Sequence, residues 1–163
     1  NKDNFRYYKK YGGGALNDLG PYAVSIGRII FDEEPIEIVT RISGRDGYDN
    51  LETAFSMMAI YKNNKIMIGH FGFDTEYKNH INILSANYCI DTNSIFTIPD
   101  NLENEIKINL SNENKIIKAP KADCFKLFIS EVIDAIENEN YKYFSDMLLS
   151  DATTLNMLRI AAK

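Results

Sequence analysis

The 163-residue chain has no run of about 18 apolar residues, so its sequence offers no membrane-spanning helix. It has no basic excess either. The 23 acidic and 18 basic side chains leave a formal net charge of −5, which argues against nucleic acid or an anionic membrane as main partner, because both need a basic face. Cysteine is scarce: Cys89 and Cys124 are far apart, match no ligand spacing, and read as reduced, partly buried thiols of a cytoplasmic protein. His70 and His80 are the only histidines and form no metal-ligand spacing with cysteine or carboxylate, so no metal site is expected. No Ser/His/Asp or Cys/His nucleophile set emerges, and no charged-then-apolar signal segment opens the chain. With 45% hydrophobic and 25% charged residues, the sequence reads as one soluble globular domain over residues 1–163. It begins at Asn1 without a methionine, and is read as a piece of a longer polypeptide.

What the chain does have is concentrated early. Gly12-Gly13-Gly14 stand directly before an apolar-periodic run, and Asp18 and Tyr22 follow four residues apart. Three glycines describe a crowded turn in which backbone or ligand comes close, with Gly13 and Gly14 as candidate substrate contacts. The turn is not a G-x-G-x-x-G fingerprint and no P-loop lysine follows, so phosphate binding is disfavoured. Asp18 reads either as a first-turn or capping acid, or as one wall of an active site. Tyr22 reads either as a half-buried aromatic or as a hydroxyl able to pass a proton to a carbonyl oxygen, as alcohol–ketone interconversion requires. Positions i and i+4 share a helix face, which could present both groups to one space.

The period of the apolar residues changes along the chain. Leu16, Leu19, Ala23, Ile26 and Ile30 step as in a helix, which either starts near Asp18 or starts earlier and bends at Pro21. Asp32-Glu33-Glu34-Pro35 ends it. Residues 36–42 alternate as a strand, and residues 43–50 form a Gly/Asp-rich connection. Residues 53–61 and 66–73 make a hairpin across Lys62-Asn63-Asn64-Lys65. Further strands are expected at 80–84, 87–90, 94–98 and 105–110, with a polar turn at 109–114. Residues 120–137 and 144–161 return to helical spacing, the first with a stripe of Phe125, Phe128, Ile129, Val132, Ile133 and Ile136.

The order predicts an α+β fold: an open, mostly antiparallel sheet with helices on one face. Consecutive apolar residues in 55–60 and 66–69 imply burial on both faces, hence a homo-oligomer formed through the sheet. The segment His70 to Tyr77 ends a strand in aromatics and acids. Phe73 and Tyr77 there suit a pocket rim that stacks on a sugar ring or nicotinamide, and core packing accounts for the pattern equally well.

The run Gly12-Gly13-Gly14-Ala15-Leu16-Asn17-Asp18-Leu19-Gly20-Pro21-Tyr22, then Arg28 and Glu34-Pro35, resembles the C-terminal domain of the glucose–fructose oxidoreductase/inositol dehydrogenase (Gfo/Idh/MocA) family. It looks closest to the dihydrodiol and sugar dehydrogenase branch, where tyrosine stands in place of histidine. The resemblance runs on through Gly69 to Phe73, Tyr77 to Ile83, Phe96 to Pro99 and Ala122 to Phe125. It implies a domain of the type found at the C-terminus of glyceraldehyde-3-phosphate dehydrogenase, binding a sugar-like substrate and assembling subunits. It further implies a separate N-terminal Rossmann domain that holds NAD or NADP, so that this chain alone binds no cofactor and is inactive. Asp18 would orient the substrate and Tyr22 would be the acid/base group, working with a lysine of an E-K-P motif. That motif and the dinucleotide fingerprint are both absent from these residues, and Ser85-Ala86-Asn87-Tyr88 replaces the family's usual Gly-x-x-Gly turn. The alternative is a non-catalytic binding or dimerisation module that retains the fold.

Overall fold

The computed structural model describes residues 4–46 and 50–162. Its chain divides into two compact units, residues 1–75 with 142–163, and residues 76–141.

In the first unit, helices α1 (Ala15–Asp18), α2 (Gly20–Phe31) and α4 (Lys142–Ala161) pack on an antiparallel sheet of β1 (Glu37–Arg45), β2 (Glu52–Ile60) and β3 (Ile66–Gly72), in that order. The helix expected after the glycine turn is in two pieces. It starts at Ala15, breaks at Leu19, and resumes with Pro21 in the first turn of α2, where a missing amide hydrogen costs nothing. Asp32, in the left-handed conformation, closes α2. The β2–β3 hairpin forms as the sequence predicts, with Asn63 and Asn64 both at positive φ. β1 runs on to Arg45, three residues beyond its expected end, through an irregular register at Ile42 to Arg45. Part of the connection expected at 43–50 lies outside the described residues.

Strand alternation sorts the two sheet faces. Cross-strand rows Ile38–Ala59–Met67 and Ile42–Phe55–Phe71 point at the helices and form the core with Ala15, Ala23, Val24, Tyr61 and Leu158. Phe55 and Phe71 stack at 5.2 Å, and a Cβ on Gly69 would occupy the space of the Phe71 ring. Each large side chain buried here contributes about 1.5–3 kcal/mol. The opposite face carries Val39–Met58–Ile68 beside the polar row Arg41–Ser56–His70. Ile68 on that face is 79% exposed.

The second unit holds a four-stranded antiparallel sheet, β4 (His80–Leu84), β5 (Tyr88–Asn93), β6 (Asn104–Leu110) and β7 (Asn114–Ala119), and the helix α3 (Cys124–Glu137). The α+β class holds throughout, with the strands parted into two sheets. Several details differ from expectation: β5 runs three residues past 90 and α3 starts at Cys124 rather than 120. Residues 94–98 form no strand: Ser94 sits at positive φ and the chain bends there, held by the Asn79 side chain, which accepts from the amides of Ile95 and Phe96. β7 is a strand that the sequence reading passed over. On α3, Asp123 caps the first turn by accepting from the Lys126 amide. Its apolar stripe is exposed, as are Phe125 and Cys124 at its start.

Candidate functional site

The glycine turn is built by the chain folding on itself. Asn4 accepts from the Arg6 amide to open one 3₁₀ turn, a second follows at Lys9–Tyr11, and Gly12 closes it in the left-handed region (φ 72°). Three amides then turn inward: Gly12 donates to the Lys9 carbonyl (3.0 Å), Gly13 to Tyr8 (3.1 Å) and Gly14 to Arg6 (2.9 Å). A Cβ at Gly13 would collide with the carbonyls of Phe5 and Arg6, and one at Gly14 (φ 109°) with the Glu52 carboxylate. The close approach that three glycines permit is thus made with the protein's own backbone and Glu52. Because these amides are already spent, the turn does not fit a cofactor pyrophosphate, which needs outward-pointing N–H groups.

Asn17 fastens the turn to α1. Its Nδ2 donates to the carbonyls of Gly12 and Gly13 (3.1 Å each), while Arg159 on α4 donates to its Oδ1 (3.0 Å). Asp18, beside it, caps neither helix. Its Oδ2 accepts from Arg6 Nε at 2.7 Å, a partly buried ion pair. Tyr22 lies in the first turn of α2 and is 40% exposed. Phe73 packs against Tyr7 at 5.8 Å, and its amide donates to the Thr53 carbonyl.

The first unit therefore gathers Gly13, Gly14, Asp18 and Phe73 around the segment Phe5–Tyr8, with Tyr22 on the next helix, four residues on across the break at Leu19. Tyr77 belongs to the second unit. There its hydroxyl meets Thr97 Oγ1 at 3.1 Å and accepts from Asn79 Nδ2 at 3.3 Å, and these bonds, Thr97's first, hold the phenol below its ordinary pKa. His70 bonds Ser56 Oγ through Nδ1 (2.9 Å) on the outward face of the sheet. His80 pairs with Asp91 at 2.7 Å, and this bond draws the Asp91 carboxyl below its usual range. Among the described residues no group of three or more His, Cys, Asp and Glu could hold a metal ion, and no helix is long and apolar enough to cross a membrane.

The sequence reading missed Arg6, Asn17 and Arg159. Asn17 carried a signal, since a short amide side chain just after a glycine turn readily bonds backbone carbonyls. Arg6 and Arg159 carried none, being 12 and 142 residues from their partners.

The first unit thus combines a glycine turn, a split helix and the Asp18 carboxylate held by Arg6 within an α+β fold. The GFO/IDH/MocA C-terminal domain family matches residues 1–88, more than half of the chain, and the protein belongs to that family. No curated protein matches. Among solved structures the fold is similar to KijD10, a 3-ketoreductase from Actinomadura kijaniata. The structure of a tyrosine-to-phenylalanine variant with TDP-benzene and NADP matches at TM-score 0.88 and 20% identity, over 100% of this chain and 50% of that one. UDP-N-acetylglucosamine 3-dehydrogenase GnnA from Acidithiobacillus ferrooxidans is similar at TM-score 0.72 and 12% identity, over 91% of this chain and 47% of that one. The chain thus spans about half the length of these neighbours.

Proposed function

We propose that this chain is the substrate-binding and subunit-assembly domain of an NAD(P)-dependent oxidoreductase acting on a sugar, a nucleotide sugar or a related cyclic polyol. The observation that carries the proposal is the fold match to two such enzymes, over 100% and 91% of the chain, joined to the family match over the glycine turn, Asp18 and Tyr22. Both neighbours take nucleotide-linked ligands by name, which favours a nucleotide sugar within the proposed range.

In this reading Asp18 orients a substrate hydroxyl or carbonyl by accepting from it, and the partly exposed Tyr22 hydroxyl exchanges a proton with the substrate oxygen at the carbon that changes oxidation state. Gly13 and Gly14 form the turn that leads into Asp18, and Phe73 offers an aromatic face to a sugar ring. The nicotinamide, which supplies or accepts the hydride, is assigned to a nucleotide-binding domain outside these residues. The outward sheet face with Val39, Met58, Ile66 and Ile68 is assigned to a second copy of the protein, placing apolar groups out of water that the single chain leaves in it. A binding module without chemistry draws on one observation, that the Asp18 carboxylate already has a protein partner in Arg6.

The test is NADPH consumption by the whole enzyme with a panel of UDP- and TDP-linked keto sugars, and by the 163-residue chain alone. Turnover by the enzyme and none by the chain is expected. Turnover by the isolated chain, or a cofactor-linked enzyme that leaves every sugar and polyol untouched, contradicts the assignment.

A further inference from the structure

We propose that Arg6 is a positioning residue for Asp18, and that the triple glycine exists to bring Arg6 to it; this rests on the role given to Asp18 above. Arg6 is fixed at its backbone on both sides. Its amide donates to Asn4 Oδ1 at 3.1 Å and its carbonyl accepts from Gly14 at 2.9 Å. The missing Cβ of Gly13 lets the Phe5 and Arg6 carbonyls lie against the turn. From that anchored backbone the guanidinium, 4.8 Å from the Phe5 ring centre, reaches back across 12 residues to Asp18 Oδ2 at 2.7 Å. The side chains are 38% and 24% exposed, so the pair lies at a surface that substrate can reach and is only partly screened.

The charge-assisted bond from Nε to Oδ2 ties the carboxylate to the anchored Arg6 on one side. Arg6 engages Oδ2, and Oδ1 is the oxygen for the substrate. Asp18 ends α1 at the break before Leu19, where no helical neighbour caps it, so this contact determines where the carboxylate points. A carboxylate displaced by about an ångström loses on the order of a hundredfold in rate.

The test is a double-variant cycle in the whole enzyme, using the UDP- or TDP-linked sugar it turns over best. Arg6→Ala and Arg6→Lys are expected to lower kcat about 10- to 100-fold with a smaller change in KM. Added to Asp18→Asn, Arg6→Ala is expected to cost little more, because the carboxylate it positions is gone. A purely structural Arg6 gives losses that multiply in the double variant, which overturns the proposal, as does an undiminished kcat in Arg6→Ala. Wild-type kcat in Asp18→Asn instead sinks the role of Asp18 itself. A second measurement needs no substrate. In the ¹⁵N-labelled 163-residue chain the Arg6 Nε–H resonance is expected to be protected from exchange and to lose that protection in Asp18→Asn. A resonance that this substitution leaves unchanged refutes the pairing.

Discussion

Tyr61 fills the largest place in the core of the first unit, 2% exposed, with its hydroxyl in the notch that Gly27 leaves on α2 and its ring 4.6 Å from Phe31. Burial, and then the nearby Glu33 charge, push the phenol above its ordinary 10.0. The sign follows from linkage. Below pH 10 the group is neutral folded or unfolded; above it the unfolded chain ionises first, so stability falls as pH rises toward the folded value. Urea midpoints taken from about pH 9 to 11 are expected to decline more steeply for the native protein than for Tyr61→Phe. Equal slopes contradict this account of the burial. The same scale separates two kinds of glycine. Gly27 makes room for a side chain in the core, whereas Gly13 makes room for the carbonyls that place Arg6.

Between elements, the junction of α2 and α4 joins apolar packing to an ion pair. Gly20 packs on Leu155 and Leu158, and one turn from the end of α2 Arg28 grips Asp151 with two bonds, 2.7 and 2.9 Å. The hydrogen bond to Asp151, the largest cause, raises the guanidinium's pKa above its ordinary value, so Arg28 stays charged at any ordinary pH. Asp151→Asn, which leaves the partly buried Arg28 without its counter-charge, is expected to cost about 1–3 kcal/mol in urea unfolding at unchanged m-value. An unaltered midpoint shows that solvent replaces Asp151 at no cost. Elements of this kind were legible in the sequence to the extent that they were local. The stepping apolar residues of α2, the Asn63-Asn64 turn and the alternation of β1 all state their structure within a few residues. β7 does not. Its adjacent Ile116 and Ile117 show no alternation, and the strand exists through pairing with β6, Ile106 to Ile117 and Lys107 to Ile116. Arg6 and Arg159 were illegible for the same reason at the site: long-range partners leave no period. Asp18 lies in the first turn of α1, as one reading of the sequence has it, but it caps neither helix and its ion pair with Arg6 is not encoded by spacing.

At the scale of the molecule, each unit leaves an apolar face exposed among the described residues. One is the outward face of the β1–β3 sheet, with Ile66 and Ile68 in water; the other is the apolar stripe of α3, including Phe125, Phe128 and Ile133. The chain covers about half the length of the enzymes it resembles in fold, and under the proposed function the cofactor chemistry is assigned to a separate nucleotide-binding domain. Under the proposed function this domain contributes proton handling and substrate placement, and Tyr22 is the group on which the proposal depends. The most direct measurement is kcat for Tyr22→Phe in the whole enzyme, with the nucleotide sugar it turns over best and saturating NADPH. Loss of the hydroxyl is predicted to lower kcat by about 10²- to 10⁴-fold with the fold intact. A kcat equal to that of the native enzyme contradicts the account.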